Sequence, residues 1–297
     1  MLLTIKNLSK SYGDVQALRD VSLQIPAGMF GLLGPNGAGK SSLMRTIATL
    51  QDPDSGSVTF NDIDVVANKQ EIRRTLGYLP QDFGVYPKVS ALDMLDHLAV
   101  LKGYVRRGER TDAVEALLRQ VNLWEVRKRK LGTFSGGMRQ RFGIAQALIG
   151  NPKLVIVDEP TAGLDPEERN RFLNLLADIG SQVVVILSTH IVEDVTDLCP
   201  RMAMICRGQV LMSGEPREAI GAIRDRVWSK LVSKESLPDY QARFTVLSTR
   251  LIGGEPRIHV YSENRPEEGF NAVDPDLEDV YFLRLRQHGA APVQLAA

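Results

Sequence analysis

The sequence predicts an α/β fold organised around a parallel sheet, and three observations predict it. The apolar run from Met29 to Leu33 leads directly into Gly34-Pro35-Asn36-Gly37-Ala38-Gly39-Lys40-Ser41, a G-x-x-x-x-G-K-[ST] pattern, and then into a helical run from Ser42 to Leu50. Two short runs rich in β-branched residues, Asn151 to Glu159 and Ser181 to Thr189, flank a helical segment from Pro166 to Ile179, the alternation expected of buried parallel strands. At 297 residues and 43% hydrophobic, the chain is long enough for one large domain with an appendage.

Taken in order, residues 1 to about 30 alternate apolar and polar positions (Leu3, Ile5, Leu8, then Val21, Leu23, Ile25) around turns at Tyr12-Gly13-Asp14 and Pro26-Ala27-Gly28, which reads as antiparallel strands. Further short strands are expected over Gly56 to Phe60 and Leu76 to Pro80. Helical spacing dominates from Ala91 to Leu123, through Leu92, Leu95, Leu98 and Leu101 and then Val114, Leu117, Leu118 and Val121, an α-helical insertion. From about Gly221 the texture changes to moderately apolar segments (Val227 to Val232, Phe244 to Ile252, Arg257 to Ser262) separated by Pro- and Gly-containing turns, a small second α/β unit. It closes on an amphipathic helix from Leu277 to Gln287, and Gly289 to Ala297 are expected to fray.

Composition excludes several functions. Lys+Arg and Asp+Glu number 36 each, so no net field draws nucleic acid or anionic lipid. The run Arg127-Lys128-Arg129-Lys130 reads as a solvated basic face, and no nucleic-acid partner is expected. Cys199 and Cys206 have neither C-x-x-C spacing nor nearby histidines and read as structural thiols. The longest purely apolar stretches, such as Val183 to Leu187, are five or six residues, against roughly 20 for a membrane span. With no secretory signal visible either, the chain reads as cytosolic, and any membrane role must come through a partner.

The glycines of residues 34–41 let successive backbone N–H groups turn inward onto phosphate oxygens, and the following helix adds its positive end. Lys40 is expected to reach the β- and γ-phosphates and Ser41 to bind Mg²⁺. Leu154 to Glu159 is an apolar strand ending in two carboxylates at the edge where α/β sheets bind ligands. Asp158 is the expected Mg²⁺ ligand, and Glu159 is placed to polarise a water in line with the γ-phosphorus. Alone, such an ending is only a strand end. A second anion site is suggested by Ser135-Gly136-Gly137-Met138, where Ser135 is placed as an N-cap and the glycines keep side chains away from a helix start.

Over residues 1 to 220 this ordered set resembles the ATP-binding subunit of ATP-binding-cassette (ABC) transporters. The resemblance implies a P-loop NTPase of ABC type: a RecA-like parallel core with an antiparallel β subdomain and a helical subdomain at about 88–150, followed by the small α/β extension at 221–297. It implies ATP and Mg²⁺ as ligands, bound by residues 34–41 with Ser42. Tyr12 is similar to the aromatic that stacks on adenine. Gln81 in Tyr78-Leu79-Pro80-Gln81 is similar to the glutamine that touches Mg²⁺ or the attacking water and senses the membrane partner. Ser135-Gly136-Gly137 matches the signature, Asp158 and Glu159 the Walker B acid and catalytic base, Ala162-Gly163-Leu164-Asp165 the D-loop, and His190 the switch histidine.

Two departures are visible. Phe134 and Met138 stand where the common signature has Leu and Gln, and a methionine cannot make the amide's hydrogen bonds. The tail Pro275-Asp276-Leu277-Glu278-Asp279-Val280-Tyr281-Phe282 resembles the ending of drug-exporter-like ATPases. The resemblance implies a head-to-tail pair with a second copy or a paralogous subunit, two sandwiched ATP molecules, and an integral membrane permease contacted around Gln81 to Tyr86. That would hold the chain on the cytoplasmic face of the membrane, and the resemblance to the subgroup implies export. The rival functions are a soluble ABC ATPase of translation or DNA repair, disfavoured by the single cassette and the lack of heptads, and a P-loop kinase, disfavoured by Ser135-Gly136-Gly137.

Overall fold

The computed structural model describes residues 1–161, 164–180 and 183–289. The chain divides into two compact units, Met1–Val210 and Leu211–Ala297. The first runs β1 (Leu2–Tyr12), β2 (Val15–Pro26), β3 (Gly28–Leu33), α1 (Lys40–Ile47), β4 (Ser55–Phe60), β5 (Ile63–Asp64), α2 (Lys69–Thr75), β6 (Leu76–Leu79), α3 (Ala91–Leu101), α4 (Arg107–Gln120) and α5 (Gly136–Leu148). It continues through β7 (Leu154–Asp158), α6 (Pro166–Gly180), β8 (Val184–Thr189), α7 (Val192–Leu198) and β9 (Arg201–Cys206) to β10 (Gln209–Gly214), within which the division falls.

Two sheets organise this unit. One is antiparallel, in the order β2-β1-β4-β5. The other, in the order β10-β9-β3-β8-β7-β6, pairs β9, β3, β8, β7 and β6 in parallel. Alternation along β1 and β2 sends Leu3, Ile5, Leu8, Leu18, Val21, Leu23 and Ile25 into a core shared with Phe30, Leu32, Ile156, Ile186 and Ile205 of the parallel strands and with Leu43, Met44 and Ile47 of α1. Helix α1 is thus clamped between the sheets. The other face of the parallel sheet carries the buried Met29, Leu33, Val155, Val157, Val185 and Leu187 and is covered from the α5, α6 and α7 side. Both faces are buried, which is why these strands are continuously apolar.

Helices α3, α4 and α5 pack on one another. The helical insertion expected from Ala91 to Leu123 comprises α3 and α4: Lys102 caps α3 and Gly103 follows with φ 98°, a left-handed conformation that glycine adopts at low cost.

The second unit continues with α8 (Pro216–Gly221), β11 (Val227–Leu231), α9 (Leu237–Arg243), β12 (Thr245–Ile252), β13 (Glu255–Tyr261), β14 (Asn271–Ala272) and α10 (Leu277–Gln287). Its antiparallel sheet has the order β12-β13-β11-β14. Val232, Val246, Ile258, Val260 and Phe270 form its core. Asp276 caps α10 in a reciprocal capping box with Asp279. The unit begins about ten residues before the change of texture at 220, because α8 packs against α10. Of the tail expected to fray, residues 290–297 lie outside the described residues. Among the described residues no helix is long and apolar enough to cross a membrane.

Candidate nucleotide site

The carboxyl ends of the parallel strands converge on one edge: β3 runs into the loop at residues 34–39, β6 precedes Gln81, β7 ends at Asp158 and β8 ends one residue before His190. In such sheets ligands bind outside this edge, where neighbouring strands lead away in different directions.

The loop's glycines have separate reasons. Gly39 is the N-cap of α1 with φ 104°, and a Cβ there would stand 2.4 Å from the Ala17 carbonyl oxygen. Gly34 is not left-handed, yet a Cβ would meet the Ile205 carbonyl at 2.3 Å. Gly37, with φ 77° and open space around it, is needed for its backbone alone. Helix α1 has no side-chain cap and no acidic residue in its first turn, so its N–H groups face outward unneutralised. The Arg207-Gly208 turn braces the loop from below, Gly208 N donating to Ala38 O at 2.8 Å.

The Lys40 side chain is buried and folded back on the loop, Nζ donating to the carbonyls of Gly34 at 2.6 Å and Pro35 at 3.2 Å. It also lies 3.3 Å from Glu159 Oε1. Burial pulls the Lys40 ammonium below the usual lysine range, against the opposing attraction of Glu159 and Asp158. Asp158 is 3% exposed and its Oδ1 has no hydrogen-bond partner. Burial pushes its carboxyl up, opposed by Ser188, Ser41 and Lys40 and helped by Glu159.

Glu159 is the junction. Its backbone is left-handed at φ 48°, uncommon for a side-chain-bearing residue, and its N–H donates to Ser188 O at 2.8 Å. Its Oε2 lies 3.2 Å from His190 Nδ1 and accepts from Gln81 Nε2 at 3.4 Å. One carboxylate therefore joins residues that follow three different strands.

A cleft of about 580 Å³ opens above these groups, lined by Tyr12, by Pro35 to Ser42, and by Gln81 and Glu159, a volume within the ordinary range for small-molecule sites. Tyr12 is 46% exposed, and its hydroxyl donates to Gln51 Oε1 at 2.6 Å, which anchors the ring at the mouth. Gly34, Asp158 and His190 do not line the cleft but touch groups that do. Arg19 and Arg207 also line it, and the sequence reading missed both; Arg207 sits in a left-handed turn whose only sequence signal is the following glycine.

Ser135 to Met138 do not line this cleft. Ser135 caps α5, its hydroxyl accepting from Met138 N at 3.2 Å, and Ser135 and Gly136 are exposed. Gly137 differs from the expectation of an open helix start: it is buried, and a Cβ would lie 2.5 Å from the Glu168 carboxylate. A side chain at this position would have to displace the Glu168 carboxylate of α6. Phe134 is 3% exposed and meets Phe142 edge to face at 6.4 Å, so the bulkier residue is taken up by the core. Asp165 is exposed and its Oδ1 accepts from Glu168 N at 2.8 Å, at the start of α6. Ala162 and Gly163 of the same motif lie outside the described residues.

The parallel core, the glycine loop and the acid-ended strand beside it define a P-loop NTPase. A family model described as ABC transporter matches residues 18–162. The linearmycin resistance ATP-binding protein LnrL of Bacillus subtilis is 35% identical over 215 residues, covering 72% of this chain and 69% of that protein. The methionine import ATP-binding protein MetN of Bordetella pertussis is 36% identical over 249 residues, covering 80% and 68%. Among solved structures, a dimeric ATP-binding cassette in a post-hydrolysis state bound to ADP and Pi is 28% identical with a TM-score of 0.66, covering 72% of this chain and 98% of that one. The chain belongs to the ATP-binding, ATP-hydrolysing subunits of ABC transporters.

Proposed function

We propose that this subunit powers an exporter as a head-to-tail pair whose ATP sites are each completed by the other copy. The observation that carries this reading is the separation of two anion-binding elements on one chain. The phosphate loop lines the cleft, whereas the exposed Ser135-Gly136 start of α5 does not. Two-fold pairing brings each loop opposite the other copy's Ser135, so that neither element is left without a phosphate.

Within each site, Pro35 to Ser42 and Lys40 bind the phosphates and Tyr12 stacks on the adenine. The residues fit Mg²⁺: Asp158 presents a buried oxygen without a partner, and Ser41 and Gln81 offer further hard oxygens. The ion, when bound, neutralises charge on the transferring phosphoryl group. Glu159 accepts a proton from the attacking water, His190 holds the Glu159 carboxylate on one side, and Gln81 holds it on the other while reporting to a membrane permease. Asp165 contributes at the pair's interface. The permease would place the chain at the cytoplasmic face of the membrane.

Export is supported by the tail at Pro275 to Phe282 and by the likeness to a resistance protein; a likeness of slightly higher identity to an import protein bears the other way. Purifying the chain with its membrane subunit and following ATP-driven drug movement in inside-out vesicles tests the direction. Accumulation inside the vesicles is expected, and ATP-driven loss of a preloaded solute from them would show import instead.

A further inference from the structure

Behind the Glu159–His190 contact lies a buried carboxylate that the roles above do not use. Asp194, on α7, is 0% exposed. Its Oδ2 accepts from the hydroxyls of Thr161 at 2.8 Å and Thr189 at 3.4 Å. Its Oδ1 accepts from Arg169 Nε at 2.8 Å, with Arg169 Nη2 2.7 Å away in the same ion pair.

The partners' places in the chain give the cluster its meaning. Thr161 is two residues after Glu159, and Thr189 is one residue before His190. The Thr189 hydroxyl also accepts from Ile191 N at 2.9 Å, so the turn carrying His190 is tied from both sides. Glu159 sits in a left-handed conformation that surrounding structure must hold, since that backbone region is unfavourable for a residue with a Cβ. Arg169 belongs to α6, which begins one residue after Asp165, and its N–H donates to Asp165 O at 2.9 Å. One carboxylate thereby fixes the chain after β7, the end of β8 and the helix that follows Asp165.

A structural role alone would be met by an apolar residue of similar volume, since a buried ion pair is seldom required for stability. What an apolar residue cannot do is orient two hydroxyls and a guanidinium together. We infer that Asp194 is a positioning residue for ATP hydrolysis, holding Glu159 and His190 in register with each other through Thr161 and Thr189. The inference rests on the reading that Glu159 and His190 act in hydrolysis.

The test compares full-length wild type, Glu159→Gln, Asp194→Asn, His190→Ala, the Asp194→Asn/His190→Ala double variant and Thr161→Val, the last keeping volume while removing one hydroxyl. Asp194→Asn is expected to lower kcat at least ~10-fold with KM for ATP and equilibrium ATP binding within about 2-fold of wild type. The double variant should be no slower than His190→Ala, because both changes disable one unit. Thr161→Val should lower kcat in the same direction with unchanged ATP binding, and it carries the test if Asp194→Asn does not fold. Wild-type kcat in Asp194→Asn or Thr161→Val, or losses that multiply in the double variant, would overturn the inference. Wild-type kcat in both His190→Ala and Glu159→Gln, with Asp194→Asn slow, would overturn the reading beneath it as well.

Discussion

The Glu159 and His190 side chains meet at 3.2 Å, Oε2 to Nδ1, at the ends of adjacent parallel strands. The other Glu159 oxygen lies 3.3 Å from the buried Lys40 ammonium of the phosphate loop. The site is therefore organised around one carboxylate before any nucleotide arrives.

Replacing that carboxylate by an amide keeps its shape and removes its basicity. Glu159→Gln is expected to slow steady-state phosphate release at least ~10²-fold while ATP binding persists. Unchanged turnover would remove Glu159 from the role of base.

Lys40→Ala acts at the other end of the same pair. Charge-assisted contacts of this kind are worth roughly 1.5–3 kcal/mol, so ATP affinity in a titration should fall at least ~10-fold. Wild-type affinity would contradict the placement of Lys40 on the phosphates.

Asp158 predicts a trade between stability and activity. Its folded-state carboxyl titrates above its ordinary value of 3.8 because of burial, so the folded protein holds the proton more tightly than the unfolded chain and loses stability as pH rises through that window. Asp158→Asn should therefore raise the melting temperature of the nucleotide-free protein near neutral pH. The gain should shrink as pH is lowered towards 3.8. Hydrolysis should be lost at every pH, and a lower melting temperature for the variant at pH 7 would show the carboxylate to be stabilising.

Ser135→Ala separates two effects of one hydroxyl. Loss of the cap on α5 should cost about 1 kcal/mol in chemical denaturation. ATP affinity of the lone subunit should stay as it was, since Ser135 does not line the cleft, while turnover should fall. A loss of ATP affinity in the monomer would place Ser135 in its own chain's site.

What the sequence makes legible here is whatever depends on local backbone demands. Gly37 and Gly39 sit where φ is positive, and Ser135 starts a helix at the very next residue, all of which a short window of residues displays. The strands β11, β12 and β13 follow the apolar segments closely for the same reason. The illegible parts depend on what arrives from elsewhere. Gly137 looks like a residue kept small for a ligand until α6 brings Glu168 against it. Arg19 lines the cleft only because β2 folds back against the loop, the Arg19 N–H donating to Gly208 O at 2.8 Å, and Asp194 is one acid among several on a short helix until Thr161, Thr189 and Arg169 surround it. Strand β9 was likewise not foreseen, since Met202 to Cys206 read as a buried strand only beside β3.

The central claim is that the cleft is half of a site and that a second copy completes it. Light scattering of Glu159→Gln with and without ATP measures this directly. Monomer mass is expected without nucleotide, dimer mass with ATP, and monomer mass again when Ser135→Arg is added to the same chain. Monomer mass with saturating ATP in Glu159→Gln, or an ATP-bound dimer indifferent to Ser135→Arg, would contradict it.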